Sequence, residues 1–238
     1  MIKKALEYIV GLKEPFLTDI GGDSFSDKEL YRVVNADYAS CITLTTLSSL
    51  VEYIMSGADT MHDKMIVHVE SPTKVRLFST LDAYRKREYV AEVVANLPVI
   101  HTDRFIEKEM FNIALQSKFV ANEDKALLLK FTGTIENGTL QEYGDDGVTQ
   151  KAVIKTGIAS KSDTIVPNPV RLKPYRTFTE VEQPESAFIF RMKDERSAGI
   201  TCAIFEADGG AWKIEAMENI KAYLKEALGD NNSFIVIS

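Results

Sequence analysis

Among its 238 residues the chain has two cysteines and three histidines, and each scarcity removes a class of chemistry. Cys41 and Cys202 stand far apart with no CxxC or Cys/His spacing, so neither a disulfide framework nor a zinc site is signalled, and two buried thiols are expected. His62, His68 and His101 show no HxH or HxxxH spacing and no HExxH partner, which leaves no signature of a hydrolytic metal centre. GxGxxG, GxxxxGK[ST] and GxSxG are all missing, so neither a nucleotide cradle nor a nucleophile elbow is marked. Long apolar runs are missing too: Ala126 to Leu129 and Phe234 to Ile237 fall far short of the roughly 20 residues that span a bilayer. The N-terminus sets lysines before apolar residues, but Glu7, Lys13 and Glu14 interrupt them and no small-residue cleavage site follows. A cytosolic protein with no cofactor, no metal and no membrane partner is expected.

With 28 basic against 35 acidic residues the net charge is -7, so the surface as a whole does not attract phosphate backbones or anionic membranes, and any such binding must be local. A content of 45% hydrophobic and 26% charged residues is that of an ordinary globular chain.

Apolar periodicity predicts a short amphipathic helix over Met1 to Leu12, through Ile2, Ala5, Leu6, Ile9 and Val10. Thr18 to Asp27, rich in Gly, Ser and Asp, reads as a turn or loop leading to Leu30 to Val34. Its aspartates lack the spacing of a calcium loop. Cys41 to Leu44 is β-like, and Thr45 or Thr46 can cap a helix carrying Leu47, Leu50, Val51 and Ile54 that stops near Gly57. Met65 to Glu70, Lys74 to Ser79 and Tyr89 to Val94 read as a small antiparallel meander. His101 to Val120 is the strongest helical pattern: Thr102 or Asp103 as cap, one row of Ile106, Met110, Ile113 and Ala114, and a second of Phe111, Leu115 and Phe119. Two rows predict a wide buried face, sandwiched against the sheet and a further partner. Beyond it Leu127 to Ile135 reads as extended, Glu142 to Gly147 as a turn, and Thr149 to Thr156 as a strand. Ala187 to Met192 and Ile200 to Phe205 form a hairpin. Asp208-Gly209-Gly210 then breaks the chain before a helix on Ala216, Ile220, Tyr223, Leu224 and Ala227, and Phe234 to Ile237 is a last strand. The expected class is α+β, with mixed, mainly antiparallel sheets, an amphipathic central helix, and a C-terminal helix packed on a β-rich C-terminal half. Residues 1–122 and 123–238 form two regions of one compact unit, with the seam near Ala121 to Lys125.

The richest stretch is VPNPVRLKPYRTFTEVEQP, Val166 to Pro184. Its four prolines impose extended backbone and exclude a helix. Arg171, Lys173 and Arg176 beside Tyr175 and Phe178 are the candidate ligand- or partner-binding residues, guanidinium forks suiting phosphate and rings suiting a base. The competing reading is a structural arm whose aromatics plug a hydrophobic groove and whose arginines pair with Glu180, Glu182 or Glu185. Arg85, Lys86 and Arg87, in the run Tyr84-Arg85-Lys86-Arg87, are the second candidate group, read either as a phosphate contact or as a turn balanced by Asp82 and Glu88. His68 and Glu70 share a strand face and could act as a general acid/base pair or as a cross-strand polar contact. Glu180 and Glu182 share a face in the same manner and are expected to pair with Arg171 or Arg176, while Asp145 and Asp146 are turn residues. No catalytic residue is assigned.

The runs TGTIENGTLQEYGDDGVTQKAVIKTGIAS, VPNPVRLKPYRTFTEVEQPESAFIFRMKD and FEADGGAWKIEAMENIKAYLKEAL resemble the phage and prophage proteins collected as domain of unknown function 2303, also called YfdQ-like. TLSSLVEYI, VHVESPTKVRLFSTLD and RFIEKEMFNIALQSKF are similar in order, so the resemblance covers nearly the whole chain. It implies a bacteriophage or prophage gene product acting in the cytoplasm of the bacterial host, and brings no catalytic residues with it. The expected function is a non-enzymatic phage accessory protein that self-assembles into a homo-oligomer, its proline arm reaching onto a neighbouring subunit. The alternative is a module binding a nucleotide or single-stranded nucleic acid, for evasion of host defence or as a recombination accessory.

Overall fold

A computed structural model describes residues 2–11, 15–20, 23–28, 39–83, 85–134, 140–145, 150–156, 159–160, 166–195, 199–229 and 231–238. The chain divides into two compact units, Met1–Ala39 and Ser40–Ser238, so the residues on both sides of the expected 122/123 seam lie in one unit.

In the first unit, helix α1 (Ile2–Gly11) forms where the periodicity predicts it. The Gly-, Ser- and Asp-rich stretch expected as a loop instead supplies most of an antiparallel hairpin, β1 (Leu17–Ile20) and β2 (Asp23–Ser26), with Leu17 opposite Ser26 and Ile20 opposite Asp23. Its open end is tied by Phe16 N donating to Asp27 Oδ1 at 2.6 Å and Asp27 N to Phe16 O at 3.2 Å. Composition marked the polarity of this segment, but ladder pairing satisfies the backbone whatever the side chains are. The expectation for Leu30 to Val34 lies outside the described residues.

The second unit is α+β. Strand β3 (Ile42–Leu44) leads into α2 (Leu47–Ser56), whose N-cap Thr46 is extended and accepts from Ser49 N, and which ends at Gly57 with φ 61°. That left-handed C-cap is the conformation glycine adopts without a Cβ penalty. Strands β4 (Met65–Ser71), β5 (Lys74–Ser79) and β6 (Tyr89–Val94) form the expected antiparallel meander. After β7 (Ile106–Glu107) come α3 (Lys108–Lys118), α4 (Glu123–Thr134), β8 (Leu140–Asp145), β9 (Gln150–Thr156) and β10 (Ala159–Ser160). The chain closes with β11 (Val170–Leu172), β12 (Ser186–Glu195), β13 (Gly199–Glu206), α5 (Trp212–Leu228) and β14 (Phe234–Ile237).

One sheet has the order β14-β4-β5-β6-β3, its two outer strands parallel to their neighbours and the meander antiparallel. Alternation along β4, β5 and β6 sends Met65, Val67, Val69, Val75, Leu77, Ala91 and Val93 to one face, where Leu47, Leu50 and Ile54 of α2 and Ile220, Leu224 and Leu228 of α5 complete a core. A second sheet, β11-β12-β13-β7, buries Phe188, Phe190, Met192, Ile200, Cys202 and Ile204 against α3 and α4. β8, β9 and β10 form a third, small antiparallel sheet.

Several expectations are corrected. The central helix is confined to Lys108–Lys118, because Ile106 and Glu107 pair with Cys202 and Thr201 at the edge of β13, and Asp103 takes φ 65° rather than a capping role. Only the row of Phe111, Leu115 and Phe119 is buried, whereas Met110 is 57% and Ile113 48% exposed. Leu127 to Ile135 is not extended, since residues up to Thr134 are helical in α4. A short apolar run serves strand and helix alike, and the deciding signals lie upstream. Asn122 Oδ1 accepts from Lys125 N at 2.9 Å as an N-cap, and Glu123 and Asp124 sit in the first turn, where carboxylates favour a helix start. Residues 142–145, expected in a turn, belong to β8, and the rest of that expectation, residues 146–147, lies outside the described residues. Ala227 is exposed and Leu228 takes its place on the buried face of α5. Of the two thiols, Cys202 is buried but Cys41 is exposed.

Candidate functional site

The proline-rich arm runs between the two cores. Val166, Val170 and Leu172 enter the core of the second sheet, and Phe178 enters that of the first, 1% exposed. Backbone partners fix its path: Val120 N donates to Lys173 O at 2.8 Å, Tyr175 N to Lys118 O at 3.0 Å, and Arg171 N to Asp124 Oδ2 at 2.6 Å. Gln183, itself buried, closes the bend, its Oε1 accepting from Arg176 N and Thr177 N and its Nε2 donating to Phe178 O at 2.9 Å. These bonds replace those that prolines and an isolated arm cannot make.

The arm's charges are paired within the chain. Arg171 meets Glu185 at 3.2 Å and Lys173 meets Glu182 at 2.9 Å, a hydrogen bond that raises the lysine above its ordinary value. Glu180 pairs with neither Arg171 nor Arg176. Its Oε1 accepts from Ser48 N and Ser48 Oγ at 2.9 and 3.0 Å, placing a carboxylate at the N-terminus of α2, where the helix dipole favours it. Arg176 also departs from the expected partners: Nη1 donates to Glu206 Oε1 at 2.6 Å and Nη2 to Ser186 Oγ.

Around Arg176 the structure assembles a knot that the sequence did not single out. The guanidinium carbon lies 3.9 Å from the Trp212 ring centroid and 5.8 Å from that of Phe188, and the side chain is only 10% exposed. Ser186 Oγ donates in turn to Asp208 Oδ2 at 2.5 Å. Burial pushes the Asp208 carboxyl up, but the hydrogen bonds from Ser186 and Gly210 N and the Arg176 charge outweigh it and hold the group below its ordinary value. Burial pulls Arg176 down, opposed by the carboxylates of Glu206 and Asp208. Beside the knot lies a cavity of about 250 Å³ walled by Pro98, Ile100, Tyr175, Arg176, Glu206 and Trp212 among others. Stacked on Trp212 and paired through Nη1 and Nη2, Arg176 holds the arm against β12, β13 and α5, while its Nε and the Trp212 Nε1 are buried without a hydrogen-bond partner among the described residues. A signal was present in Asp208-Gly209-Gly210 ahead of Trp212, but nothing in it names the partner 36 residues upstream.

The second candidate group stands on the other face of the first sheet. Arg87 Nη1 donates to Ser79 O at 3.0 Å and its guanidinium lies 5.2 Å from the Phe78 ring centroid. Lys86 N donates to Asp82 Oδ1 at 2.8 Å. Glu88 takes His62 as partner at 2.9 Å, not the basic run, and Tyr84 lies outside the described residues. His68 and Glu70 do share this face, but Glu70 pairs across strands with Arg76 at 3.0 Å while His68 meets Phe78 edge-on at 6.2 Å, so they form no acid/base pair. Lys74 and Arg76 both reach Glu92, and the Lys74 hydrogen bond chiefly holds that carboxyl below its ordinary value. The structure does not bring the two candidate groups together: Arg171, Lys173, Tyr175, Arg176 and Phe178 follow the arm, and Arg85, Lys86 and Arg87 the β5–β6 connection. Among the described residues there is no cluster of three or more His, Cys, Asp or Glu that could hold a metal, and no helix long and apolar enough to cross a membrane. Compared with protein-family models, curated proteins and solved structures, the chain finds no match.

Proposed function

We propose that the chain is a non-enzymatic accessory protein, of phage or prophage origin as the sequence resemblance implies, that works as a homo-oligomer in the host cytoplasm. The contact is assigned to the first unit and withdrawn from the proline arm, whose anchoring side chains are spent within their own chain. The observation that carries this reading is the exposure of the first unit's described apolar side chains. Ile2, Leu6, Tyr8, Ile9, Phe16, Leu17, Ile20 and Phe25 are each more than half exposed, and none of its residues whose burial is described is buried.

Side chains of this kind bury about 100 Å² or more each when covered, so eight of them supply roughly 800 Å² per copy. Two copies then bury roughly 1,600 Å², the size of a standard specific interface. A second copy is the favoured cover, because a patch used twice across a two-fold axis needs no other gene product, and two-fold dimers are the commonest oligomers. Light scattering coupled to size-exclusion chromatography tests it. The full chain elutes as a multiple of 26.6 kDa, and a Leu6→Asp/Phe16→Asp variant elutes as the monomer with its circular dichroism unchanged. A wild-type monomer at micromolar concentration sinks the reading, and a variant that stays oligomeric moves the interface elsewhere.

A further inference from the structure

The face of the five-stranded sheet opposite α2 and α5 carries an arrangement that the assembly reading does not use. Alternation sends His68 of β4 and Phe78 of β5 to the face opposite α2 and α5, and a β-bulge between the Leu77–Ala91 and Phe78–Tyr89 pairs turns Tyr89 of β6 to the same face, so that the three rings meet in sequence across adjacent strands. The centroids are 6.2 Å apart for His68 and Phe78 and 5.3 Å for Phe78 and Tyr89. Phe78 is covered by its neighbours, but Tyr89 is 47% exposed. A guanidinium stands over each of the last two rings: Arg87 at 5.2 Å from Phe78 and Arg76 at 6.0 Å from Tyr89. At the same place Tyr89, Arg76, Glu92, Ala91 and Cys41 line a cavity of about 280 Å³. That is slightly below the range of drug-sized pockets, and enough for one planar ring system.

The charges are sorted along the face. Lys74 and Arg76 are balanced by Glu92 and Glu70, so the cavity itself is near neutral. Both of Arg76's pairs run through Nε, so the terminal Nη groups are not what holds the side chain. Arg87, over the middle ring, and Arg85, two residues before it in the β5–β6 connection, form no ion pair among the described residues. The face thus offers a ring to stack on, a donor and an acceptor beside it, and a nearby arginine that is held by a carbonyl and a ring rather than by an ion pair. We propose that it binds a nucleobase together with its phosphate: the base stacks on Tyr89 in the cavity with its edge toward Arg76 and Glu92, and the phosphate lies toward Arg87 and Arg85. Stacking on an aromatic side chain is tolerant of base identity and needs an unpaired base. The carboxylate of Glu92 beside the Arg76 guanidinium adds a preference for a base edge presenting both donors and acceptors, as guanine does.

A free nucleotide and a single strand share this chemistry, and the test separates them. Fluorescence anisotropy at about 50 mM salt follows labelled single strands of each base, a duplex control, and competition by GMP, AMP, CMP and UMP. The expected result is saturable single-strand binding. Tyr89→Ala weakens it by about 5- to 150-fold, the loss of one stacked base. Tyr89→Phe retains it, and Arg85→Ala/Arg87→Ala lowers the salt slope. Competition by mononucleotides at concentrations comparable to the oligonucleotide assigns a free-nucleotide site, and its failure assigns a single-strand site. Absence of binding by the wild type, equal binding of duplex and single strand, or equal affinity of Tyr89→Ala and wild type overturns the proposal. Tyr89 is exposed enough for both of its variants to fold, which circular dichroism checks independently of oligomeric state.

Discussion

Replacing Phe178 by alanine tests whether the proline arm is a fastening within one chain. The ring is 1% exposed and lies in the core shared by Leu47, Leu50, Ile220 and Leu224. A phenylalanine ring buries roughly 150–250 Å², which at about 25 cal/mol/Å² is worth about 4–6 kcal/mol. Buried Phe→Ala changes cost about 3–5 kcal/mol, so a loss near 4 kcal/mol is expected. With a urea slope of about 3 kcal/mol/M, the midpoint falls by about 1.3 M. The single tryptophan, Trp212, stacks on Arg176 from the same arm and reports its release by fluorescence, and far-UV circular dichroism gives an independent probe of the sheets and helices. Because self-association makes midpoints depend on concentration, the pair of proteins is measured at two concentrations. An intrachain plug gives the same difference at both. A loss below about 1 kcal/mol, or one that vanishes on dilution, refutes the reasoning, and the second result would return the arm to a neighbouring copy.

Two further predictions concern local bonds. Thr46 accepts from Ser49 N at 3.2 Å at the start of α2, so Thr46→Ala costs about 1 kcal/mol and Thr46→Ser restores most of it in urea titrations; equal stability of all three proteins would remove the cap. Acid should weaken the fold through Glu92 and Asp208. Glu92 is lowered from 4.5, chiefly by its hydrogen bond from Lys74, and Asp208 from 3.8, where bonding to Ser186 and Gly210 N overcomes the effect of burial. The unfolded chain takes up these protons first, so this stability is complete above about pH 5 and is lost as pH falls through the lowered native values. Midpoints between pH 6 and pH 3 should decline less steeply in a Glu92→Gln/Asp208→Asn variant, and equal slopes would exclude these groups as the cause.

What was legible in the sequence was what neighbours along the chain decide. β-like runs bounded by turn residues located the β4–β5–β6 meander and the β12–β13 hairpin, and helical spacing located α1, α2 and α5. Thr46 and Gly57 bounded α2 because capping is a matter of three or four residues. The stiffness of Val166 to Pro184 followed from its prolines, and the pairing of Arg171 with Glu185 from the closeness of opposite charges in the arm, whereas Glu182 takes Lys173 rather than an arginine. Local pattern was weakest where two structures fit it equally, as in the apolar run of α4, and where an edge strand claimed residues from a helix, as at Ile106 and Glu107.

Tertiary structure alone decided which partners distant groups would find. Arg176 had three glutamates close in sequence, yet its charge is met by Glu206 and its face by Trp212, because the arm crosses β12 and the start of α5 at that point. Arg85, Lys86 and Arg87 read as a phosphate contact or a turn balanced by Asp82 and Glu88, and only the sheet set Arg87 over Phe78 with Tyr89 beside it. Periodicity says which residues share a face, but not whether anything covers that face. Cover depends on chain segments many residues away, and their closure is governed by the summed burial of the whole core rather than by any local preference.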